Sequence, residues 1–327
     1  MRRGFSNFSV DQIHSYLLHR YEAWYEEKHI HRSIEESIII NGIVLYECPL
    51  CGSADFVRWG HTRAGVNRFR CNGCGGTFTP LTETLFDDHK IDISEWMEYL
   101  IHIFEFHSLK TSALDNRNAI TTGKYWLEKV FELLKEYQIG ITIGRRVWID
   151  ETYLSVKHGD RLKDEEGKMP RGLSRNKICI ATATDGLHSV FICENTCKPS
   201  SKSTWNAYSG QLLPGSIINH DGEKSHEILF RRDPSLSQNI WISGIRYSKD
   251  TDNPMYPINH MHMLLKSFMA NHGSYKRDEL QDWMNLFAFI VNPPYNIEEK
   301  IAILLELACR HHKRMKYRDV MGKKYGK

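Results

Sequence analysis

Two pairs of cysteines constrain the fold of this chain more than any other feature. Each pair has the spacing CxxC, and nineteen residues separate the two pairs. Two such knuckles bring four thiolates together in the tetrahedral arrangement that structural zinc prefers. The strands expected between them, 56–60 and 67–70, would join near Gly65. The sequence therefore predicts a zinc ribbon over residues 46–82, with the zinc ligands Cys48, Cys51, Cys71 and Cys74.

Composition places the chain among ordinary globular proteins and gives little information about its partners. Of 327 residues, 41% are hydrophobic and 25% are charged, and the net charge is only +3. No apolar run approaches the length of a membrane span, and the N-terminus lacks a signal-peptide core, so we expect a cytoplasmic protein without membrane contact. Thiols stay reduced in the cytoplasm, where paired cysteines more often hold metal than form disulfides. The basic residues 313–327 suit phosphate backbones, or form a solvated end.

Two helical regions flank the ribbon. Residues 1–45 are expected to be helical, with no chemistry assigned to them. Residues 90–140 contain a long helix, a short one and a third from about residue 121 to 137, which favours a helix-turn-helix over a plain three-helix bundle, although both remain open. In a DNA-binding arrangement, Lys124, Tyr125 and Lys129 would lie on or near the reading helix.

The stretch 147–154 is rich in β-branched and aromatic residues and contains two adjacent carboxylates, Asp150 and Glu151. Because side chains alternate along a strand, Asp150 and Glu151 face opposite sides of a sheet. A carboxylate in an apolar strand needs compensation, which a metal ion provides. The alternative is that Asp150 ends the strand and caps the next turn.

Further strands and helices follow this stretch. The runs 177–184 and 189–193 predict a hairpin turning at Asp185-Gly186, and residues 216–222 read as a strand that ends at Asp221. The helix 258–270 is expected to bury Met261, Leu264, Leu265 and Phe268, because they share one face. Asn259, His262 and Lys266 share the opposite, polar face. A final helix is expected over residues 297–312.

Several stretches together resemble bacterial insertion-sequence transposases that combine an N-terminal zinc ribbon with an ISXO-like catalytic domain. The matching segments are CPLC…FRCNGCGGTFTPLTETLF, VWIDETYLSVK, RGLSRNKICIATATDG and INHMHMLLKSFMANHGSYKRDEL. They span about residues 46–290. A ribbon alone is common, but a ribbon followed by IDETY and then by Asn and Lys seven residues apart on a helix is much more specific.

This resemblance implies a ribonuclease H-like core in which Asp150 and Asp221 are the catalytic aspartates that hold Mg²⁺ or Mn²⁺. The family's third position is usually Glu, but here it is Asn259, followed by Lys266 seven residues later. The departure leaves the third metal ligand open between the amide of Asn259 and the imidazole of His262. An Asn oxygen is a weaker ligand for hard cations than a carboxylate, and imidazole suits Mg²⁺ poorly. Lys266 would position a DNA phosphate.

The expected fold is therefore α/β (α+β), with a ribonuclease H-like catalytic domain preceded by the zinc ribbon and a helix-turn-helix-like region. The catalytic domain is placed at 145–292, and a helix and basic tail at 293–327. The predicted function is a DDE-type DNA transposase that binds terminal inverted repeats and target DNA, as a homo-oligomer on DNA, and catalyses cleavage and strand transfer. A decayed, DNA-binding descendant and a metal-dependent nuclease are the alternatives.

Overall fold

The computed structural model describes most of the chain, with short gaps. The described residues are 14–15, 17–19, 32–87, 89, 91–156, 161–163, 165–170, 172, 174–194, 196–242, 247–272, 275–311 and 313–325. They form two compact units. Unit 1 comprises Met1–Trp96 with Cys309–Lys316, and unit 2 comprises Met97–Ala308 with Tyr317–Lys327. No helix in the described part of the chain combines the length and apolar character of a membrane span.

Unit 1 contains the predicted ribbon. Its elements are α1 (Arg32–Asn41), β1 (Phe56–His61), β2 (Asn67–Cys71) and β3 (Thr77–Phe78). The three strands form one antiparallel sheet, and the turn between β1 and β2 includes Gly65 at a φ of +78°. Phe56, Phe69 and Phe78 pack together against the buried cysteines. Most of the helix expected before residue 32 lies outside the described residues.

Unit 2 holds a five-stranded sheet and most of the helices. The strands are β4 (Arg146–Ser155), β5 (Lys177–Thr184), β6 (Ser189–Cys193), β7 (Ile217–His220) and β8 (Ser237–Ile240). The helices are α2 (Ile93–Phe104), which begins in unit 1, α3 (Leu109–Asp115), α4 (Ile120–Leu134), α5 (Ser201–Tyr208), α6 (Glu227–Arg232), α7 (Tyr256–Asn271), α8 (Leu280–Val291), α9 (Ile297–Arg310) and α10 (Tyr317–Tyr325).

The order of the strands in this sheet is β6-β5-β4-β7-β8. Strands β4, β5 and β6 form an antiparallel meander, while β7 and β8 run parallel to β4. Three antiparallel strands followed by strands parallel to the first are the ribonuclease H-like arrangement, so the expected mixed α/β fold class is confirmed. The sheet brings the carboxyl end of β7 beside the middle of β4, where Asp150 lies.

The helical region before the sheet has the predicted order of a long, a short and a longer helix. The short helix α3 begins after Ser108, whose hydroxyl accepts a hydrogen bond from the Thr111 backbone N–H. One assignment needs correction, because Lys129 on α4 is only 3% exposed. Its amine lies 4.6 Å from the centre of the Tyr125 ring, and burial lowers its pKa to about 8. In this structure Lys129 is therefore a packing residue that cannot reach DNA.

The last part of the chain, for which a phosphate-binding tail or a solvated end was expected, contains a helix and side-chain contacts. Helix α9 ends at Arg310, and a further helix, α10, follows within the basic segment. In unit 2, the ring of Tyr317 on α10 packs edge-on against Tyr125 at 5.4 Å. In unit 1, Nε of Arg314 lies 3.2 Å from an oxygen of Asp87. These contacts hold parts of the segment in place, while Lys313 and Arg318 are exposed.

Candidate functional site

The four cysteines of unit 1 converge as their spacing predicted. The Sγ atoms of Cys48 and Cys74 are 3.9 Å apart, and those of Cys51 and Cys71 are 3.6 Å apart. All four sulfur atoms lie within 4.8 Å of one another. Zinc–thiolate bonds of about 2.3 Å in a tetrahedron place sulfur atoms about 3.8 Å apart, so this tetrad fits a closed structural zinc site.

The two knuckles prepare the tetrad before a metal binds. The backbone N–H of Gly52 donates to the Cys48 carbonyl, and the N–H of Gly75 donates to the Cys71 carbonyl. Both glycines have a φ near +75°, a conformation that side chains disfavour. The Cys74 N–H points at the Cys71 sulfur from 3.5 Å and lowers the pKa of this thiol to about 6. Zinc binds the thiolate form, which the Cys74 N–H favours at Cys71, whereas the pKa values of Cys48 and Cys51 are raised.

In unit 2, Asp150 lies within β4, not at its end. The strand continues to Ser155, which contradicts the alternative that Asp150 ends the strand and caps a turn. One carboxylate oxygen accepts a hydrogen bond of 2.8 Å from the Glu151 backbone N–H. Burial raises the pKa of Asp150 to about 7, and the charges of Asp221 and Glu151 add to this rise. The surroundings of Asp150 therefore favour neutralisation of its negative charge, by a proton or by a cation.

Asp221 directly follows β7 and is exposed. One of its carboxylate oxygens accepts a hydrogen bond from the Glu223 N–H at 2.9 Å. Because β7 pairs in parallel with the first residues of β4, its last residues approach Asp150, and the charge of Asp221 acts on that carboxyl. The structure thus brings together the two aspartates that lie 71 positions apart in the sequence.

The buried face of helix α7 overlaps only partly with the one predicted. Its buried residues are Ile258, His262, Leu265, Phe268 and Met269. His262 is only 7% exposed, and its Nδ1 atom lies 3.8 Å from an oxygen of Asp150. Leu265 and Phe268 are buried as predicted, whereas Met261 and Leu264 are only half-buried, so the buried face is rotated toward His262. His262 therefore points into the site, whereas Lys266 is exposed.

The electrostatic state of His262 suits a ligand. Burial and the nearby charge of Lys266 lower the pKa of His262 to about 3, so the ring is neutral. Among the described residues its Nε2 atom has no hydrogen-bond partner. A neutral, buried imidazole with an unshared nitrogen beside a carboxylate is the form of histidine that binds metal ions.

Asn259 has an exposed side chain in the wall of a cavity of about 680 Å³. The wall includes Tyr256, His260 and Met263 from the same helix. Between Asn259 and the two aspartates, the described residues show no direct hydrogen bond. A role for Asn259 as the third metal ligand stays a prediction.

A buried polar network below the aspartates was missed by the sequence analysis. Glu151, on the face of β4 opposite Asp150, lies 2.9 Å from Nε2 of His226. The Nδ1 atoms of His226 and His220 are 3.2 Å apart, and Nε2 of His220 lies 3.0 Å from Oε1 of Gln238. The alternation of β4 predicted the opposite facing of the carboxylates, but no local pattern indicated a partner for Glu151.

Hydrogen-bond partners in this network favour a positive charge on His226. Nε2 of His220 donates to Gln238, and the Gly222 N–H donates to Nδ1 of His220 at 3.2 Å, so that nitrogen is an acceptor. His226 must then donate from both of its nitrogens, to His220 and to Glu151. Burial opposes the charged form, but Glu151 and the aspartates outweigh it and raise the pKa of His226. A buried imidazolium–carboxylate pair therefore supports the end of β7.

The donors of unit 2 fit a divalent cation. Two carboxylates from neighbouring strands offer the oxygen ligands that Mg²⁺ and Mn²⁺ prefer, and a cation would offset the repulsion that raises the pKa of Asp150. The ligand atoms of His220, Asp221 and His226 also lie within 4.8 Å of one another. Both histidines, however, already have hydrogen-bond partners, whereas Nε2 of His262 has none among the described residues.

Comparisons with known proteins give only distant structural similarity. No protein-family model matches the chain, and no curated protein matches it. The HTLV-2 integrase catalytic core domain in complex with magnesium is 14% identical, with a TM-score of 0.27, over 46% of this chain and 86% of that one. The Mos1 strand transfer complex is 12% identical, with a TM-score of 0.26, over 62% and 71%. The Mos1 transposase paired-end complex is 11% identical, with a TM-score of 0.26, over 63% and 76%. The fold assignment therefore rests on the strand order itself.

Proposed function

We propose that this protein is a DNA transposase of an insertion sequence, of the zinc-ribbon and ISXO-like type. It binds the terminal inverted repeats of its element and catalyses metal-dependent DNA cleavage and strand transfer. The observation that carries the proposal is the convergence of Asp150, in the middle of β4, with Asp221, at the end of the neighbouring strand β7. The sequence resemblance over residues 46–290 indicates which type of insertion sequence the transposase belongs to.

Each residue of the site has a definite role in this proposal. Asp150 and Asp221 hold the divalent metals, and His262 or Asn259 provides the third ligand. Bound Mg²⁺ or Mn²⁺ would activate the attacking hydroxyl or water and stabilise the leaving oxygen. Lys266 is exposed one helical turn after His262, where its ammonium group can hold a DNA phosphate.

The network of Glu151, His226 and His220 has a positioning role. It fixes the residue before Asp221 through hydrogen bonds to both ring nitrogens of His220. Its buried positive charge also lies near the two aspartates and attracts both of them. The site can therefore keep its carboxylates together before the metals bind.

DNA recognition is assigned to the ribbon and the helical region. A closed tetrad of cysteines has no open position for a reactant, so the zinc of the ribbon has a structural role. The ribbon also carries exposed basic and aromatic groups, such as Arg70, whose guanidinium lies 5.0 Å from the centre of the Trp59 ring. Strand transfer joins two element ends to one target, which favours a homo-oligomer bound to double-stranded DNA.

The test is cleavage and joining of labelled duplex that carries the element end, identified from inverted repeats beside the gene. Asp150→Ala and Asp221→Ala should each lower strand cleavage by about a thousandfold or more, because the metals lose an anionic ligand. End binding in gel-shift assays should stay nearly unchanged. Asp319→Ala, which removes an exposed carboxylate from α10, is the matched control and should cleave normally.

Other outcomes separate the competing functions. Cleavage without joining would identify a nuclease. End binding by the unaltered protein, with no cleavage in either metal, would identify a decayed DNA-binding descendant. Normal cleavage by both aspartate variants would remove the site assignment altogether.

A further inference from the structure

A second group of metal-binding side chains lies at the end of α2, away from any motif used above. After this helix the His107 N–H donates to the His102 carbonyl, and the Phe106 N–H donates to the Ile103 carbonyl. Phe106 has a φ of +66°, in the left-handed region. These bonds define a Schellman motif, which usually has glycine at the left-handed position and an apolar contact between the residues five apart.

Here both usual features are replaced. The left-handed residue is a phenylalanine, although residues with a side chain rarely adopt this backbone conformation. The contact that closes the motif joins two imidazoles, with the Nδ1 atoms of His102 and His107 3.1 Å apart. Glu105, which lies between them in sequence, brings its carboxylate into the same group, and the three ligand atoms lie within 4.8 Å of one another.

The surroundings favour a cation between these groups. Tetrahedral zinc with Zn–N bonds of about 2.05 Å places two nitrogens about 3.4 Å apart, close to the separation seen here. The carbonyl end of a helix carries partial negative charge, which adds to the attraction of Glu105. In the described part of the chain, neither ring nor Glu105 has another side-chain hydrogen bond or ion pair. The group is also open to solvent, since Glu105 is exposed and both rings are half-buried.

We propose that His102, Glu105 and His107 form a site for a divalent first-row transition metal, with zinc the best match. Two imidazole nitrogens, one carboxylate oxygen and a water complete its tetrahedron. The site does not depend on the proposed transposase activity. We name it the helix-end site.

The helix-end site has a structural consequence for the catalytic helix. Phe106 packs against Phe268 of α7 at a ring distance of 5.1 Å, and Asn271 donates a hydrogen bond of 2.8 Å to the Phe106 carbonyl. Metal bound to the residues on either side of Phe106 fixes its left-handed backbone. It therefore holds the loop that packs on α7, the helix that carries His262 and Lys266.

The test is a cobalt titration of the full chain, followed by absorption. The ribbon is first loaded with zinc, and the background is the Asp150→Ala/Asp221→Ala double variant, which removes the catalytic aspartates. We expect one equivalent of cobalt with the spectrum of nitrogen and oxygen ligands and without a thiolate charge-transfer band. His107→Ala should lose this equivalent, and Glu105→Gln, a mild change at an exposed residue, should weaken it about tenfold or more. His188→Ala, which alters a histidine outside the group, is the matched control and should bind normally.

A melting experiment gives a second readout that does not need cobalt. At a zinc concentration about 100 times the dissociation constant, the melting temperature should rise by about 5 °C, and the rise should vanish in His107→Ala. The proposal is overturned if the parent chain takes up no more cobalt than His107→Ala. It is equally overturned if Glu105→Gln and His107→Ala both keep the parent affinity, because the imidazole contact would then be only a hydrogen bond.

Discussion

The cysteine tetrad of unit 1 and the aspartate site of unit 2 are built in opposite ways. The tetrad takes its four ligands from 27 consecutive residues, two tight turns and a small sheet. The aspartate site takes its ligands from the middle of β4, the end of β7 and the buried face of α7. The first site is local and closed, while the second depends on the packing of a whole unit.

The two regions also differ in the apolar core that stabilises each of them. The apolar core of the ribbon consists mainly of three phenylalanines below the sulfur atoms, which is too little to fold a segment of this size without metal. Unit 2 has an extended core around its sheet, including Val147, Ile149, Ala181 and Ile218. We therefore expect metal to stabilise the fold of the ribbon, and to serve the reaction in the aspartate site.

The largest expected effect is on the ribbon. Cys71→Ser removes one of the four sulfur ligands, so the ribbon should lose its zinc. Zinc binding of this kind contributes about 10–16 kcal/mol to the folding of small zinc domains, so residues 46–82 should become sensitive to protease. Metal analysis and limited proteolysis measure both effects.

We expect unit 2 to stay folded when the ribbon loses its zinc. Strong chelators should therefore open the ribbon and leave the far-ultraviolet signal of unit 2 nearly unchanged. Cys309→Ser, outside the tetrad, is the matched control and should keep its zinc. Unchanged zinc in Cys71→Ser would show that the tetrad is not the zinc site.

A smaller effect is expected at the third ligand of the aspartate site. His262→Ala should lower cleavage of end DNA by about 10–100-fold, because the imidazole lies 3.8 Å from Asp150. Asn259→Ala should lower cleavage by a smaller factor, since the side chain of Asn259 lies in a cavity wall. The unaltered protein should be more active in Mn²⁺, which accepts nitrogen ligands and irregular geometry more readily than Mg²⁺.

Both variants are measured side by side in each metal, with end binding as the control for folding. A greater loss of cleavage in Asn259→Ala than in His262→Ala would identify the Asn259 amide oxygen as the third metal ligand, at the position that the family resemblance implies. Full activity in both variants would leave only the two aspartates as ligands.

Local patterns in the sequence were enough to predict the elements that form the two sites. The spacing of the cysteines predicted the ribbon, and the Asp185-Gly186 turn predicted the pairing of β5 with β6, because both depend on neighbouring residues. Alternation along β4 correctly separated Asp150 from Glu151. The strand β8 was missed because its residues are polar and exposed, without the apolar pattern of a strand.

The failures concern residues whose role depends on tertiary packing. Lys129 has the sequence character of a DNA contact but lies buried against Tyr125. His262 was a candidate ligand on a polar helix face, but no pattern in the sequence showed that it is buried against Asp150. Glu151 and His226 are 75 positions apart, and only the folded sheet shows that they pair. Periodicity does not distinguish a polar residue that is buried against a partner from one that is exposed to solvent.

The smallest expected effect concerns a buried contact of unit 2 that involves only protein groups. Lys300 is only 2% exposed, and its ammonium group donates to the carbonyls of Phe289 and Asn292 at the end of α8. Burial lowers the pKa of Lys300 from its ordinary 10.5 to about 8. The folded chain thus holds this proton less tightly than the unfolded chain. The stability of the protein should therefore rise, relative to Lys300→Met, as the pH increases from 8 to 10.5.

The expected rise is roughly 1–3 kcal/mol, since each unit of pKa shift corresponds to about 1.4 kcal/mol and water near the amine reduces the effect. Urea unfolding of both proteins at several pH values measures it, and ionisation of cysteine and tyrosine residues is common to the two and cancels. The same series with a chelator present should give the same difference, because the contacts of Lys300 involve only protein groups. A difference that is constant with pH would show that the amine is not desolvated. A difference that changes with the chelator would show that the contacts of Lys300 depend on a bound metal, and the assignment of these contacts to protein groups alone would fail.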